Sequence, residues 1–423
     1  MKNIYASLDI GSSTIKLVVG ELINSNINVL FAKMIPAHGI KRGKIVDEAV
    51  VSQDVLSIIK EAENELGTEI KNVLLNIPTI HTKLYQSQGS TTINSATKTI
   101  AREDIVRALN LATQFKISDK EAIVSVIPVT FYYGEYKSKE TPIGKISNSL
   151  HVDALVIATK KQLLYSYIRC VERAGVSVLD ISIDAYSYAK EAFDAVYLQE
   201  GAILIDIGYK TTKISFFEEG FLKFLTTIPI GGHSLTKKIS KSWQIPMTKA
   251  ETYKIKYGTC NTLLSDEDII HMAKKDDKII NYTQKDLSEL LVQGVETMMN
   301  LVKEQLMAID NGRSYEVIIV GGGGEIEKID EVSSRVLEVP VRVYRPQTIG
   351  ARNMTYTANL GLIYYLADRK ELIGEQQPSL VFGDVTNTMT LRLKGLTKTS
   401  TNNKQQHNSK LSRVLDVLFS DEE

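Results

Sequence analysis

Two stretches of this sequence share one pattern: LDIGSSTIKLVVGEL at Leu8 to Leu22 and LIDIGYKTTKISFFEEG at Leu204 to Gly220. In each, an apolar run leads to an aspartate, Asp9 or Asp206, and then to a glycine, which a second run of β-rich residues follows. The pattern predicts a strand, a tight turn and another strand. A single hairpin of this kind is usually only a turn. Two in one chain favour a shared binding site over two ordinary turns.

Each predicted hairpin carries groups that bind phosphate and metal ions. Backbone N–H groups at a glycine turn, with hydroxyl and ammonium groups beside them, can hold phosphate oxygens, and a carboxylate at a strand end can hold a metal through water. Two facing hairpins would therefore clamp a nucleotide, with Asp9 and Asp206 on the metal side. The predicted phosphate ligands are Gly11, Ser12, Ser13 and Lys16 in the first hairpin and Gly208, Thr211 and Thr212 in the second.

A glycine run adds a third element. EVIIVGGGGEIEKI, from Glu316 to Ile329, predicts a buried strand, a glycine turn and a helix. Glycines let the backbone approach a planar group closely, and a helix N-terminus favours negative charge. The predicted nucleoside contacts are Gly322, Gly323, Gly324 and Glu325. Taken alone, the run is equally consistent with a flexible strand-to-helix turn.

Composition limits the other possibilities. A chain of 423 residues with 43% apolar residues is expected to form about two to four domains with sizeable cores. The formal net charge is zero, so bulk electrostatics indicate no nucleic-acid partner. Cys170 and Cys260 lack the spacing of a metal site or a disulfide framework. Neither a signal peptide nor a transmembrane run is expected.

The order of the three elements resembles that of the actin, sugar-kinase and heat-shock-chaperone superfamily, from Met1 to about Arg369. The resemblance implies an α/β, actin/sugar-kinase/heat-shock-chaperone-like two-lobed fold with duplicated ribonuclease-H-like domains. Between the two hairpins, the stretch from Leu84 to Lys160 combines one helical pattern with two strand-rich runs. It predicts a separate inserted subdomain, which the proteins FtsA and PilM carry at this place.

Further motifs resemble those of the FtsA family of bacterial cell-division proteins. These are IPVTF and VDALVIAT in the insert, YSYIRCVERAGVSVLDI after it, and then IPIGG, AETYKIKYG and VGGGGEIEKI. The resemblance implies ATP and Mg²⁺ as ligands. It also implies nucleoside contacts from Glu251 and Lys254, which lie one helical turn apart, although an exposed ion pair would explain the same spacing.

Three positions leave alternatives open. Lys16 alternates with apolar neighbours, so it is either a phosphate ligand or a solvated lysine. Asp184 is the candidate catalytic carboxylate, but capping a helix N-terminus is an alternative role. The family's second hairpin usually has two further glycines where this chain has Tyr209 and Lys210. This departure predicts altered phosphate geometry, so the resemblance implies ATP binding with weak or no ATPase activity.

The resemblance and the composition together divide the chain into six parts. They are a first core subdomain (1–83, 161–197 and 355–370), an FtsA-type inserted subdomain called 1C (84–160), a second core subdomain called 2A (198–251 and 311–354), subdomain 2B (252–310), a disordered linker (371–408) and an amphipathic membrane-targeting helix (409–423). The linker is predicted from its content of Thr, Asn, Gln, Lys and Ser.

The predicted terminal helix has one apolar face and polar residues opposite. A docking helix for the parent domain would share this pattern, but the preceding linker favours a membrane surface, anionic or zwitterionic, and FtsA proteins end in such a helix. The apolar face consists of Leu411, Val414, Leu415, Leu418 and Phe419.

The resemblance implies a peripheral protein on the cytoplasmic face of the cell membrane at the division septum. Such a protein forms filaments with itself, binds the C-terminal tail of the tubulin-like protein FtsZ through subdomain 2B, tethers FtsZ filaments and recruits later division proteins. A family arginine of subdomain 2B is replaced near Gly294, and Lys285, Lys303 and Arg313 are candidates for its role. The alternatives are a PilM-like pilus-assembly adaptor and a sugar- or acetate-kinase-type phosphotransferase.

Overall fold

The computed structural model describes residues 3–261, 263, 269–275, 278–309, 312–374 and 378–380. The first elements are strands β1 (Ile4–Ile10), β2 (Thr14–Ile23), β3 (Asn26–Pro36), β4 (Ile40–Lys41) and β5 (Lys44–Ile45), helix α1 (Glu48–Leu66) and strand β6 (Asn72–Ile77). An insert follows, with β7 (Lys83–Thr92), α2 (Arg102–Ala112), β8 (Glu121–Tyr133), β9 (Tyr136–Ser138) and β10 (Ser149–Lys160).

The remaining elements complete the first lobe, build the second and return to the first. After the insert come α3 (Lys161–Arg173), β11 (Ser177–Ile183), α4 (Asp184–Ala192) and α5 (Ala195–Glu200). The second lobe contains β12 (Ala202–Ile207), β13 (Thr212–Glu218), β14 (Phe221–Ile228), α6 (Gly232–Trp243), α7 (Met247–Tyr257), β15 (Ile269–Lys275), β16 (Lys278–Thr283), α8 (Gln284–Leu306), β17 (Glu316–Val320), α9 (Ile329–Leu337) and β18 (Val341–Val343). The last helix is α10 (Thr357–Ile373).

The two lobes contain sheets of the same topology. The first is a five-stranded sheet of order β11-β6-β1-β2-β3, and the second is a five-stranded sheet of order β14-β13-β12-β17-β18. In each, the strand that ends in Asp9 or Asp206 lies at the centre, pairs antiparallel with the next strand of its hairpin and pairs parallel with a strand on its other side. The predicted two-lobed fold with duplicated domains is confirmed.

The insert forms its own four-stranded sheet, of order β7-β10-β8-β9, covered by α2. Helix and strand touch through backbone at Gly89, where a β-carbon would lie 1.8 Å from the carbonyl oxygen of Ala108. Apolar residues of α2 and of the strands form a separate core cluster that includes Ile105, Phe131 and Val152. The insert therefore packs around a core of its own, as the sequence predicted for an inserted α/β unit.

The second lobe carries helix α8 and the β15–β16 hairpin beside α6 and α7. Helix α8 begins at a capping box in which Thr283 and Asp286 exchange hydrogen bonds, which satisfies donors at the helix start. Its apolar stripe is buried, and Gly294 is the point of contact with α6, since a β-carbon there would lie 2.4 Å from Leu235 Cδ2. At the end of α6, the ring of Trp243 stacks at 4.7 Å on that of Tyr282.

Helix α4 is fixed where the lobes meet. Residues of both lobes, among them Ile183, Leu204 and Phe217, share one large core cluster. Helix α10 crosses α4 so closely that a β-carbon at Gly361 would lie 1.7 Å from the carbonyl oxygen of Ser187. Only glycine permits that approach. The start of α4 is therefore held in place at the floor of the cleft between the lobes.

The predicted linker begins too early at Glu371. Helix α10 continues to Ile373, and the hydroxyl of Ser379 accepts a hydrogen bond from the N–H of Ala6 at 2.9 Å and donates one to Asn72 Oδ1 at 3.0 Å. Leu380 is fully buried. Residues 371–373 thus continue α10, and Ser379 and Leu380 pack on the first lobe, where they complete hydrogen bonds and core contacts of its sheet.

The rest of the predicted linker and the predicted membrane-targeting helix, with Leu411, Val414, Leu415, Leu418 and Phe419, lie outside the described residues. Among the helices that the structure describes, none has the combination of length and apolar character that crossing a membrane requires.

A carboxyl group of α4 bridges the lobes beneath the cleft. The hydroxyl of Tyr344, just after β18, donates a hydrogen bond to Glu191 Oε1 at 2.9 Å. Burial raises the pKa of Glu191 to about 7, although the tyrosine hydroxyl opposes the rise. Because the folded-state pKa lies above the ordinary value of 4.5, protonation of Glu191 stabilises the fold. This contribution is complete below the ordinary pKa and is lost as the pH rises through about 7.

We expect Glu191→Gln to raise the free energy of unfolding at about pH 8 by roughly 1–3 kcal/mol, since the amide removes a buried negative charge. The gain should vanish below about pH 5, where the parent chain is protonated. Thermal unfolding followed by circular dichroism across this range measures it. The control is Glu65→Gln, at an exposed carboxyl of α1. A stability difference that does not change with pH would contradict the assignment.

Candidate functional site

A cavity of about 270 Å³ lies between the lobes, where the two hairpins, the glycine run and helix α7 converge. Its volume is near the lower end of the range of small-molecule sites, ~300–1,000 Å³. The predicted site residues that line it are Asp9, Gly11, Ser12, Ser13, Lys16, Asp184, Asp206, Gly208, Thr211, Glu251, Lys254, Gly322 and Gly323. The fold thus brings together residues that are far apart in the sequence.

Three predicted ligands lie elsewhere. Thr212 follows Thr211 on a strand, so its side chain points to the opposite face; its buried hydroxyl donates to the carbonyl oxygen of Ile230 at 2.9 Å. A β-carbon at Gly324 would meet the side chain of Met354 at 2.7 Å. The carboxylate of Glu325 accepts a hydrogen bond from the N–H of the same methionine at 3.0 Å. Thr212, Gly324 and Glu325 therefore support the walls of the cavity from behind.

The two hairpins close in the same way. The N–H of Gly11 donates to the carbonyl oxygen of Thr14 at 3.0 Å, and the N–H of Gly208 donates to that of Thr211 at 2.9 Å. Tyr209 and Lys210, which replace glycines of the family pattern, do not adopt positive φ. The second turn therefore forms without backbone strain despite the bulky residues.

The side chain of Tyr209 leaves the phosphate-facing side of its turn. Its hydroxyl lies 3.1 Å from His233 Nδ1, and the two rings are in contact at 5.1 Å. Behind the same turn, the N–H groups of Gly232 and His233 donate to the carbonyl oxygens of Gly208 and Tyr209 at 2.9 and 2.8 Å. The start of α6 therefore braces the second hairpin. Gly231 of IPIGG lies so close to this turn that a β-carbon would come within 2.4 Å of the carbonyl oxygen of Gly208.

Lys16 points into the cavity. Its ammonium group lies 2.6 Å from Asp9 Oδ2, directly across the hairpin, and the residue is only 8% exposed. A solvated lysine, the alternative left open by the sequence, is therefore wrong. The hydroxyl of Ser12 accepts a hydrogen bond from the N–H of Gly43 at 2.8 Å. The first hairpin thus presents one fixed cation and one oriented hydroxyl.

The sequence-based list omitted Lys213, which lines the same cavity. Its ammonium nitrogen lies 2.7 Å from Asp206 Oδ2 in its own hairpin and 2.6 Å from Asp184 Oδ2 of the first lobe. All three side chains are at most 13% exposed. Aligning the two hairpins would have revealed this lysine, because DIGSSTIK and DIGYKTTK both end in Lys at the same distance from the aspartate.

Asp184 does not cap its helix. It is the first residue of α4, and Ile183 occupies the N-cap position. The Oδ1 atom of Asp184 instead accepts hydrogen bonds from the N–H of Thr79, at 3.0 Å, and from the hydroxyl of the same residue. Burial raises the pKa of Asp184, while the ion pair with Lys213 acts in the opposite direction. Both oxygens thus accept hydrogen bonds from protein groups, which fix the orientation of this carboxylate at the cavity wall.

Glu251 and Lys254 do form an ion pair, but it is not an exposed one. Lys254 is 8% exposed, and its three N–H groups reach Glu251 Oε2 at 2.9 Å, the hydroxyl of Thr236 at 2.9 Å and the carbonyl oxygen of Gly232 at 3.1 Å. Since an ammonium group has only three donors, Lys254 is fully occupied. It fixes α7 against α6 and leaves the rest of the Glu251 carboxylate facing the cavity.

Two positions of the glycine run require glycine because the backbone packs closely on strand β12. Gly321 has φ +83° and lies so close to β12 that a β-carbon would come within 2.3 Å of Asp206 Oδ1. A β-carbon at Gly323 would lie 2.2 Å from Ile207 Cγ2. Only Gly322 has space on the cavity side, where the nearest atom to a β-carbon would be Thr355 Cγ2 at 3.4 Å. Close packing on the central strand, more than approach to a ligand, therefore requires these glycines.

Apolar residues complete the wall beside Gly322. Ile255, which is 75% exposed, lines the cavity together with Ile326. The sequence did not indicate this role, because an isoleucine on a helix of mixed polar and apolar residues is ordinarily expected to pack in the core. The cavity therefore has a charged, hydroxyl-rich end and an apolar end.

The residues present fit a magnesium ion held through water and phosphate. The described residues contain no cluster of three or more His, Cys, Asp or Glu side chains able to bind a metal by themselves. In Asp9 and in Asp206, one carboxylate oxygen pairs with a lysine, and both residues line the cavity. Mg²⁺ commonly binds one or two carboxylates through water and completes its shell with substrate phosphates.

We expect Lys213→Gln to lower the free energy of unfolding by about 3–5 kcal/mol, because Asp184 and Asp206 would remain buried without a counter-charge. Thermal unfolding measures the loss. The matched control is Lys190→Gln, which breaks the more exposed ion pair with Asp368 and should cost about 1 kcal/mol or less. If the two substitutions lowered the free energy of unfolding equally, the buried ion pairs of Lys213 would not be the source of the larger stabilisation.

Models of three protein families match parts of this chain. "Cell division protein FtsA" matches residues 203–361, "SHS2 domain inserted in FTSA" matches residues 80–158, and "Type IV pilus assembly protein PilM" matches residues 141–264. Among solved structures, the chain is similar to a PilM–PilN type IV pilus biogenesis complex, with 16% identity, a TM-score of 0.59 and coverage of 85% of this chain and 98% of that chain.

A second similar structure is MreB5 of Spiroplasma citri bound to ADP. It has 15% identity and a TM-score of 0.53, and the match covers 88% of this chain and 99% of that chain. At these identities the similarity establishes the actin-like fold and nothing about ligands. The SHS2 match coincides with the inserted sheet, which identifies the insert as the FtsA type.

Two relatives of this chain, both named cell division protein FtsA, match it over most of their length. The cell division protein FtsA of Staphylococcus epidermidis is 31% identical over 363 residues, which cover 85% of this chain and 78% of the relative. The cell division protein FtsA of Bacillus subtilis is 26% identical over 440 residues, which cover 98% of this chain and 99% of the relative. On this similarity, the chain belongs to the FtsA family of cell division proteins.

Proposed function

We propose that this protein is an ATP-binding adaptor of cell division, which polymerises on the cytoplasmic membrane, tethers FtsZ filaments there at the septum and recruits later division proteins. The observation that carries the proposal is the cavity between two duplicated hairpins in a chain of the FtsA family. A protein of the same fold, MreB5, has been solved with ADP bound.

In this proposal, the charged end of the cavity binds the phosphates. Gly11, Ser12, Ser13 and Lys16 contact them from the first lobe. From the second lobe, Gly208 and Thr211 do so, and Asp9 and Asp206 hold Mg²⁺ through water. The apolar end takes the base: Ile255 and Ile326 cover it, and Gly322 lets it approach the backbone. Glu251 is placed to accept hydrogen bonds from ribose hydroxyls.

The proposal assigns ATP a structural role with weak or no hydrolysis. A hydrolytic site needs a group that orients or deprotonates the attacking water. Asp184, the candidate for this role, accepts hydrogen bonds from Lys213 through one oxygen and from Thr79 through the other. Binding a nucleotide that contacts both hairpins would instead favour the closed arrangement of the lobes, because it interacts with both at once.

We expect Lys16→Gln to weaken ATP binding by about tenfold or more, since it removes a fixed cation that donates to phosphate. The affinity is measured by titration with a fluorescent ATP analogue in the presence of Mg²⁺. The matched control is Lys33→Gln, which removes a lysine that is likewise paired with a carboxylate, here that of Glu61, but lies away from the cavity. No saturable binding to the parent chain, or equal losses in both variants, would contradict the proposed ATP site.

Membrane attachment is proposed for the terminal segment 409–423. Its five apolar side chains would enter the lipid interface, and Lys410 and Arg413 would attract anionic lipid. Asp421, Glu422 and Glu423 oppose that attraction. One such helix binds weakly, so stable attachment requires many copies displayed along one filament. Polymerisation and membrane binding would therefore depend on each other.

FtsZ binding is proposed for the unit of residues 252–310 in the second lobe. Of the cations considered for the tail carboxylates, Lys303 is paired with Glu338 at 2.8 Å and Arg313 with Glu218 at 2.6 Å. Gly294 is buried against α6. A tail that binds here would have to compete with these surface pairs, which contribute only about 0–1 kcal/mol each.

Co-sedimentation with liposomes tests the proposal, with ATP and Mg²⁺ present and with FtsZ added or omitted. The samples are the full chain, a truncation after Thr401, Leu415→Asp, and Ser420→Asp as a control on the opposite face of the predicted helix. We expect the full chain and Ser420→Asp to pellet and to carry FtsZ with them. The truncation and Leu415→Asp should stay in solution, because both remove the apolar face.

Two results would contradict the adaptor function. If all four samples pelleted equally, the tail would not be the anchor. If the full chain pelleted without FtsZ but with a peptide of the pilus machinery, the PilM-like function would be favoured, in line with the match over residues 141–264. Fast phosphorylation of a small hydroxylic acceptor would favour the kinase alternative.

A further inference from the structure

A second cavity, of about 610 Å³, lies beside the first. The first lobe contributes the short β4–β5 hairpin and residues 79–82, which follow β6, and the second lobe contributes Leu225, Thr226 and Thr227 of β14. Ile80 belongs to the walls of both cavities. We call this space the basic cavity. Its volume is in the range of small-molecule sites, ~300–1,000 Å³.

The charges that line the basic cavity are all positive. They are Lys41, Arg42 and Lys44 of the hairpin, and the exposed imidazole of His81 lies beside them. No aspartate or glutamate is among the lining residues. Within the part of the chain that the structure describes, these three basic side chains form no ion pair with a carboxylate, in contrast to Lys16 and Lys213 in the neighbouring site.

Cations of the second lobe approach the same hairpin. The pKa of Lys210 is lowered by its burial and by the nearby charges of Arg42, Lys41 and Lys237. Like charges thus face one another across the gap between the lobes. Such an arrangement opposes closure unless an anion lies between them.

The hairpin that carries the cations is held in place. The N–H of Gly43, at its tip, donates to the hydroxyl of Ser12 at 2.8 Å, and the hydroxyl of Tyr167 donates to the carbonyl oxygen of Gly43 at 3.1 Å. Gly43 has φ +71°, which glycine adopts readily. Its flanking cations are therefore presented on a fixed turn, which lowers the entropic cost of binding an anion.

The opposite wall supplies a hydroxyl group, that of Thr227. This residue pairs with Lys213 across the β13–β14 ladder, whereas the neighbouring hydroxyl of Thr226 donates to Gln305 Oε1 at 3.3 Å and, by strand alternation, lies on the other face. An arginine, lysines and a hydroxyl together form a donor set that suits phosphate oxygens, since guanidinium and ammonium groups form strong charge-assisted hydrogen bonds with them.

We propose that the basic cavity binds a phosphate-bearing small molecule with two or more negative charges, separately from the cavity between the phosphate hairpins. The ligand contacts Lys41 and Arg42 from the first lobe and Thr227 from the second, and so stabilises the closed lobes. The proposal does not depend on ATP binding, because its residues and its test are different from those of the nucleotide cavity.

Isothermal titration calorimetry with inorganic pyrophosphate, at constant ionic strength and without divalent metal, tests the proposal on the full chain. We expect saturable binding to the parent chain and a loss of affinity of at least about tenfold in Lys41→Gln/Arg42→Gln, which removes two charged donors. These side chains are exposed, so the thermal unfolding midpoint of the variant should be unchanged.

Two controls separate this site from other sources of pyrophosphate binding. Lys116→Gln/Lys145→Gln removes the same amount of charge from exposed positions of the insert and should leave the affinity within about twofold. Lys16→Gln changes the nucleotide cavity instead. If the insert variant lost as much affinity as Lys41→Gln/Arg42→Gln, or if only Lys16→Gln lost affinity, the proposal would be overturned. Absence of saturable binding to the parent chain would overturn it as well.

Thr227→Val tests the contribution of the second lobe. The substitution keeps the size of the side chain and removes one neutral donor, so we expect an affinity loss of about threefold. The melting point measured with pyrophosphate present should fall in parallel. An unchanged affinity in Thr227→Val would mean that the ligand does not bridge the lobes, and that part of the proposal would be abandoned.

Discussion

The arrangement of this protein depends on one buried cation, Lys213, shared by two carboxylates. Asp206 belongs to the same hairpin, but Asp184 belongs to the other lobe, so the ammonium group joins the lobes at the floor of the cleft. Moving the lobes apart at this point is costly in free energy, because separation would leave each of these charges buried without a partner. The position of one lobe relative to the other is therefore set at the same point where the cavity is formed.

Neighbouring contacts support this point. Thr79 donates twice to Asp184, and α10 presses against α4 through Gly361, which keeps the start of α4 in place. Farther along α4, Glu191 meets Tyr344 of the second lobe. The N–H of Leu222 also donates to the hydroxyl of Tyr186, so a single nine-residue helix carries three polar contacts with the second lobe.

The two hairpins have the same backbone hydrogen bonding, but their lysines have different partners. Each has the same turn hydrogen bond and the same Asp–Lys pair across its strands. Lys16 has one carboxylate partner and faces the cavity, whereas Lys213 has two and is used for holding the lobes. The chain's zero net charge likewise conceals a local imbalance, since acidic groups are paired around the first cavity and none lines the second. Net charge predicts bulk behaviour and does not describe the field inside a cleft.

The sequence by itself determined the duplicated fold and the inserted unit, and it identified 13 of the 27 residues that line the cavity. These depend on local rules: an apolar run, an aspartate and a glycine turn define a strand end wherever they occur. Repetition of the pattern then fixes the topology. The family followed from the order of the motifs for the same reason.

Only the tertiary structure decided which side chains meet. Thr212 was assigned to the cavity because it follows Thr211, but strand alternation turns it away. The partners of Asp184 are Thr79 and Lys213, one distant in the sequence and the other in the opposite lobe, and no local pattern could indicate them. Long-range contacts of this kind result from packing two sheets across a shared helix, and this packing also placed the cations of the β4–β5 hairpin in a second cavity. Sequence patterns encode the elements, while the distances between charged groups arise only when those elements pack.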